Sequence, residues 1–232
     1  MNNWLNIIQN KLLPPRCIFC AEPGWGNFDL CLDCYHDLPV NRQSCRQCGL
    51  NLVSNNSNSY FCGQCLKQAP PFDQTYAPYL YQGGIRFLIT QLKFHQDYKN
   101  ARLLANLVMQ YLPDSSEYPE ALIPVPLHPN RYYQRGFNQS LEISRHLARK
   151  SQIPLDLYSC IRIRDTEHQT GLTAKQRQTN LKQAFAIKKP LPYQHVAIID
   201  DVITTGSTAS AVAATLKNHG VQRVDVWACA RA

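Results

Sequence analysis

The chain has 232 residues, enough for one ordinary domain and a small companion. Its hydrophobic content of 44% is that of a soluble globular protein, and no run approaches the ~20 apolar residues of a membrane span. The net charge of +8 is unevenly placed: residues 1–74 carry five bases and five acids, but residues 121–190 carry twelve bases and four acids. That concentration fits an anionic partner, a polyphosphate metabolite or a nucleic acid, or else a solvated basic surface.

Residues 1–15 predict a short helix with Trp4, Leu5, Ile8 and Leu12 on one face, stopped by Pro14 and Pro15. The stretch lacks the basic n-region, long apolar core and cleavage site of a secretory signal. A cytoplasmic address is therefore expected. The helix either docks on the body or touches a membrane surface, which would make the protein peripheral at the inner face of the membrane.

Residues 16–74 form the cysteine-rich segment. Eight of the ten cysteines fall in four C-x-x-C pairs, Cys17/Cys20, Cys31/Cys34, Cys45/Cys48 and Cys62/Cys65. One such knuckle aims two thiolates at one ion, and two knuckles complete the tetrahedral sulfur shell that zinc accepts. Eight ligands give two zinc ions. Sequential pairing, Cys17, Cys20, Cys31 and Cys34 on one ion and Cys45, Cys48, Cys62 and Cys65 on the other, fits two separate ribbons best; an interleaved pairing stays open. With all four positions filled by protein, both ions would be structural. A disulfide framework would need an oxidising compartment, and the sequence supplies no export signal.

After the junction APPFDQ (69–74), residues 75–232 alternate strand-like and helical periods. Tyr76–Tyr81 reads as a strand, and Gly84–Phe94 as a helix with Ile85, Leu88, Ile89 and Leu92 on one face. Residues 100–112 repeat the helical period, and Ala121–Val125 is a strand stopped by Pro126. Residues 137–150 make a basic amphipathic helix, and residues 155–163 an alternating strand. A capping-box helix starts at Thr173-Ala-Lys-Gln176. Val196–Ile199 is a buried strand, Thr208–His219 a helix closed by Gly220, and Val221–Ala228 a last strand. Cys160 and Cys229 sit in strand-like apolar segments as small buried hydrophobes. The order predicts an α/β fold with a parallel sheet flanked by helices, with ligands beyond the carboxyl ends of its strands.

Two acids, Asp200 and Asp201, end the apolar run 196–199, and Thr204, Thr205, Gly206, Ser207 and Thr208 then lead into a helix. A helix N-terminus with a glycine and several hydroxyls suits a monoester phosphate. Carboxylates only accept hydrogen bonds, so the acids should face sugar hydroxyls or water on Mg²⁺. A ribose 5-phosphate meets both demands. The G-K-[ST] of a Walker loop is absent.

DDVITTGST (200–208) resembles the phosphoribosyl pyrophosphate (PRPP) signature of type I phosphoribosyltransferases. Nearly the whole chain resembles the ComF family: the paired C-x-x-C ribbons, TQLKFHQD, IPVPLHPNRYYQRGFNQ, HQTGLTAKQRQTNLKQAF and DDVITTGST follow in that family's order. The resemblance implies a phosphoribosyltransferase-like domain behind a double zinc ribbon. It implies that Asp200 and Asp201 bind ribose hydroxyls, that Thr204–Thr208 bind the 5-phosphate, and that PRPP comes with Mg²⁺. Arg131 and Arg135 would meet the pyrophosphate, or be surface charges. Gln169, Arg177 and Asn180 match the polar positions of the family's mobile segment, which acts as a lid or as a brace on the sheet. Arg131, Arg135, Gln169 and Arg177 are the candidates for catalysis; Lys93 either reaches the site or is solvated.

Three functions follow. The resemblance implies a cytoplasmic competence factor that helps import or handle single-stranded DNA, with a DNA-uptake helicase or translocase and a recombination-loading protein as partners. Tyr132, Tyr133 and Phe137, among bases, would stack the strand, or lie in the core. The alternatives are an active phosphoribosyltransferase of unknown acceptor, and a zinc-ribbon adaptor for a translocase. No acceptor pocket is recognisable in the sequence.

Overall fold

The computed structural model describes residues 14–26, 28–52, 60–165 and 183–232. The chain forms two compact units, Met1–Pro39 and Val40–Ala232. The first ribbon belongs to the first unit. The second ribbon falls in the same unit as the α/β body, so the division comes inside the cysteine-rich segment.

Both ribbons use one local device. In the first, Cys17 N–H donates to Glu22 O (2.8 Å) and Ala21 N–H returns to Cys17 O (2.9 Å). In the second, Cys45 N–H donates to Leu50 O (2.8 Å) and Gly49 N–H to Cys45 O (2.8 Å). Each turn passes through a left-handed residue, Ala21 (φ 64°) or Gly49 (φ 69°). The second knuckle of each ribbon opens a five-residue helix, α1 (Leu32–His36) or α2 (Gly63–Lys67). Its N-cap is a cysteine whose sulfur accepts the N–H of the next knuckle cysteine: Cys34 N–H to Cys31 Sγ (3.5 Å) and Cys65 N–H to Cys62 Sγ (3.4 Å). In the first unit Trp25 stacks on Phe28 with ring centroids 5.9 Å apart, and Tyr35 packs on both rings.

The body is a five-stranded parallel sheet in the order β1 (Gln74–Tyr76), β7 (Arg223–Arg231), β6 (His195–Ile203), β3 (Ala121–Pro124), with β2 (Tyr79–Leu80) also paired to β7. β1 and β2 lie on the same strand because the expected single strand 76–81 is broken at Ala77-Pro78; proline has no N–H for the ladder. Residues 155–163 contribute less strand than their alternation predicts. Leu155 makes a lone parallel bridge to Leu122, and only β4 (Cys160–Arg162) pairs, antiparallel with β5 (Phe185–Ile187).

Helices α3 (Gly83–His95), α4 (Tyr98–Met109), α5 (Pro129–Arg135), α6 (Gln139–Ser151) and α7 (Ser207–Lys217) surround the sheet. α4 packs on β7, and α6 on β3 and β6, while α7 packs on β5, β6 and β7. Strand alternation divides the core accordingly: Val196, Ile198, Val224, Val226 and Ala228 join Val212, Ala213 and Leu216 of α7 in one cluster. Ile85, Leu88, Ile89 and Leu92 of α3 are buried, as their spacing predicts. Cys160 and Cys229 are buried as small hydrophobes. Among the described residues no helix is long and apolar enough to cross a membrane.

Candidate functional site

The eight knuckle cysteines gather into two groups, Cys17, Cys20, Cys31 and Cys34, and Cys45, Cys48, Cys62 and Cys65, with the sulfurs of each group within 4.8 Å of one another. The pairing is sequential. The thiols show what such a cluster needs. Burial acts to raise Cys17, but the N–H groups of Cys31, Cys20 and Phe19 outweigh it and bring the thiol down to about 6. Cys45 comes down to about 7, where the N–H groups of Cys48, Cys62 and Gln47 again overcome burial. Burial and the charge of Cys45 push Cys48 the other way, to about 11. Cys17 and Cys45 ionise easily while Cys20, Cys34, Cys48 and Cys65 are pushed the other way, so a cation is what lets each cluster carry its thiolates together. These are four-cysteine zinc sites with no coordination position left for chemistry.

β6 runs through both acids to Ile203, further than the apolar run 196–199 indicates, because Val202 and Ile203 continue the ladder opposite Ala230 and Arg231. Successive side chains leave opposite faces of a strand, so the two acids have different surroundings. Asp201 is 3% exposed. It forms an ion pair with Lys93 of α3 and accepts Gln139 Nε2 of α6 at 3.3 Å. Asp200 is half-buried and accepts the Ser140 hydroxyl (3.2 Å) and the Asp201 N–H (2.9 Å) at Oδ1. Lys93 thus reaches the acids, while Gln139 and Ser140 are residues that sequence reasoning missed. Their only signal was Asn138, whose side chain caps α6 by accepting the N–H of Ser140 (3.0 Å) and so fixes that helix start against β6.

Burial, then the charge of Asp201, pushes the Asp200 carboxyl up to about 7, against the opposing pull of Lys93. A carboxyl raised in the folded state holds its proton more tightly there than when unfolded. Its ionisation therefore costs stability increasingly from pH ~4 to the folded value, and fully above it. Asp200→Asn keeps an oxygen for both donors and removes the charge. It is expected to raise the melting temperature at pH 8 by at least about 2–4 °C, equivalent to ~1 kcal/mol, and by less at pH 5.5. An equal gain at both pH values in thermal scans rules this account out.

The turn after β6 enters α7 through Gly206, whose φ of 76° is costly for any residue with a Cβ. As N-cap it offers no side-chain acceptor to the first turn of α7. Thr205 Oγ1 instead accepts Ser207 N–H (3.3 Å) and lies 2.8 Å from Ser207 Oγ. Asp200 lines one small pocket together with Thr204, Gly206, Ser207 and Thr208. On its other side the turn borders a cleft of about 960 Å³, walled by α7, by Phe72 and Phe185, and by Gln64 and Gln68 of the second ribbon. Sequence reading gave no sign of this cleft, because its walls come from three separated parts of the chain.

Arg131 and Arg135 lie one turn apart on α5, which follows the stiff 124–129 loop and ends at Gly136 (φ 76°). Arg131 is held by Asp165 (Nε–Oδ1 3.2 Å), beside Asn130 Nδ2 at 3.3 Å and His128 Nδ1 at 3.6 Å from the same carboxylate. Arg135 accepts Gln96 Nε2 on its carbonyl (3.2 Å), which brings the ends of α3 and α5 together. Phe137 is 3% exposed and packs edge-on against Tyr98, so it is a core residue, whereas Tyr132 and Tyr133 are 46% and 85% exposed. Gln169, Arg177, Asn180 and the helix expected at Thr173, like residues 1–13, lie outside the described residues.

Residues 8–74 match the double zinc ribbon domain. Competence protein F of Haemophilus influenzae is 37% identical over 231 residues, covering 94% of this chain and 97% of that protein. DNA utilization protein YhgH of Escherichia coli K12 is 32% identical over 225 residues, covering 94% and 98%. Competence protein ComFC of Streptococcus pneumoniae is 22% identical over 206 residues, covering 87% of each. Matched over nearly its whole length by such relatives, the chain belongs to the ComF family of competence and DNA utilization proteins.

Proposed function

We propose that this protein is a competence factor that handles incoming single-stranded DNA and carries a binding site for PRPP or a related ribose 5-phosphate. The names of its relatives support the role in competence and DNA utilization. The ligand reading rests on one observation: Asp200 lines the same small pocket as Thr204, Gly206, Ser207 and Thr208 of the turn. A phosphate on the turn would use the N–H groups and hydroxyls there, and the sugar would lie toward Asp200. Asp200 would accept a ribose hydroxyl or a water on Mg²⁺. Asp201, buried against Lys93, would join it only by exchanging that lysine for a ligand donor. Arg131 and Arg135 would receive the pyrophosphate; Gln169 and Arg177 stay candidates for the chemistry.

Exposed Tyr132, Tyr133 and Phe94 (69% exposed), close to Arg135 across the Gln96 contact, support a stacking surface for a single strand beside this site. The DNA-uptake helicase or translocase and the recombination-loading protein would be met in the same place of action, at the inner face of the membrane. PRPP with Mg²⁺ should raise the melting temperature of the wild type and do so less for Asp200→Ala. Single-stranded DNA should bind at low salt with an affinity that falls as salt rises. No thermal shift by PRPP defeats the ligand reading, and no salt slope defeats the DNA contact. A strain carrying Asp200→Ala and Asp201→Ala that transforms normally separates the site from uptake.

The cleft beside the turn favours a second reading, an active phosphoribosyltransferase, since about 960 Å³ has room for an acceptor. Pyrophosphate release from PRPP in the presence of single-stranded DNA or nucleobases distinguishes the two.

A further inference from the structure

The first knuckle of the second ribbon is fastened to the body by four successive carbonyls. Arg46 O accepts Thr75 N–H (2.9 Å), and Gln47 O accepts the Thr75 hydroxyl (2.6 Å). Cys48 O accepts Arg231 Nε (3.1 Å), and Gly49 O accepts Asn41 Nδ2 (2.8 Å). The fit is close: a Cβ on Gly49 would stand 2.8 Å from Thr75 Cγ2. Three of these bonds lead into strand or loop backbone. The third leads to the anion-binding turn, because the same Arg231 guanidinium donates through Nη1 to Ile203 O (3.1 Å) and to Thr204 O. A second path runs alongside, from Gln47 Nε2 to Phe72 O (3.2 Å), the Phe72 ring lying under Gly206 with Cζ 3.8 Å from where a Cβ would be.

In a planar trans peptide the carbonyl and the following N–H point in opposite directions. Holding Ile203 O and Thr204 O toward Arg231 therefore turns the N–H groups of Thr204 and Thr205 away from it and fixes their direction. Cys48, the other end of the guanidinium's reach, is a zinc ligand. An empty cluster no longer fixes Cys48 through its sulfur, which leaves the guanidinium's anchor at that end to the knuckle's hydrogen bonds alone.

We propose that Arg231 is a positioning residue that makes the conformation of the turn Thr204–Thr208, and hence its affinity for a phosphate ester, depend on zinc in the Cys45/Cys48/Cys62/Cys65 site. The affinity half rests on the ligand reading given above; the conformational half does not. Coupling of this kind is reciprocal, so bound ligand slows zinc release from the second site.

Hydrogen exchange and calorimetry on the zinc-loaded full chain test both halves. Arg231→Gln should speed exchange at 204–207 with two zinc ions retained and α4 unchanged. Arg231→Lys, which keeps the charge but not the planar fork, should fall between it and the wild type. Zinc loss through Cys65→Ser should speed the same amides in the wild-type background and add little to Arg231→Gln, a non-additivity that independent effects do not give. Cys34→Ser, in the other compact unit, is the matched control and should leave these amides unchanged. PRPP with Mg²⁺ should bind about tenfold more weakly to Arg231→Gln and to Cys65→Ser, again without adding. Wild-type exchange at 204–207 in Arg231→Gln, full additivity with Cys65→Ser, or unchanged PRPP affinity in Arg231→Gln overturns the proposal. If the exchange results appear but the wild type binds no PRPP, the ligand reading fails and the zinc-to-turn coupling stands.

Discussion

Asp201→Ala is expected to destabilise the protein by about 3–5 kcal/mol, the usual penalty for leaving one member of a buried ion pair alone. At this chain length the melting temperature should fall by more than about 6 °C. The reason lies on α3. The Lys93 side chain is 22% exposed and that of Asp201 4%, so neither charge is fully hydrated. Burial acts to lower the Lys93 pKa, but the charge and hydrogen bond of Asp201, with help from Asp200, more than offset it and leave it raised. A lysine raised in the folded state contributes stability that is fully present below its unfolded value near 10.4 and lost only above that range. The Lys93 contribution is therefore constant through neutral pH, unlike that of Asp200. Lys93→Met should recover part of the loss when combined with Asp201→Ala, since it removes the stranded ammonium. Urea denaturation of the two single variants and the double variant measures the coupling; additive losses show that the pair is not what stabilises this end of β6.

Zinc removal should have the second large effect. Structural zinc contributes on the order of 10 kcal/mol to the folding of a small segment that binds it through four cysteines. Among the described residues the second ribbon has little apolar interior besides its ligands, Leu52 being the one other residue packed in its cluster. Because that ribbon shares a compact unit with the sheet, its loss reaches the body. Chelation should release two zinc ions per chain and lower the melting temperature by about 10 °C or more. Cys65→Ser should give one zinc per chain and most of that drop, measured by elemental analysis and thermal scans. A full-length chain that keeps its wild-type melting temperature after losing both ions shows that the clusters do not hold the fold.

Local features of the sequence carried far into the structure. The C-x-x-C spacing gave eight ligands for two ions and favoured the sequential pairing, but left the interleaved one open until the structure brought the sulfurs together. The 3.6-residue spacing of Ile85, Leu88, Ile89 and Leu92 and the apolar run before Asp200 placed α3 and β6. What stayed illegible depends on contacts between distant segments. Nothing local to Gln139, Ser140 or Lys93 says that α6 and α3 converge on the acids. Nothing in Arg231, the last base of an apolar strand, says that it spans a zinc knuckle and the turn after β6. Adjacent Asp200 and Asp201 looked like equal partners, and strand alternation separates them. Tyr132, Tyr133 and Phe137 looked alike, until the short helix α5 left two outside and turned the third into the core.

The hydrogen bond from Thr75 N–H to Arg46 O has a further consequence, for what happens when folding goes wrong. β1 is the outer strand of a parallel sheet, and such a rim templates pairing with any other extended chain. Two measures blunt it here: the break at Pro78 shortens the run, and the ribbon occupies the amide of Thr75. When metal is scarce the second measure disappears while the sheet behind it still stands. The hazard for a nascent or metal-starved chain is then self-association through an uncovered rim, ahead of any global unfolding. A cell that makes this protein faster than it can supply zinc would lose it to aggregates rather than to a pool of soluble apo-protein.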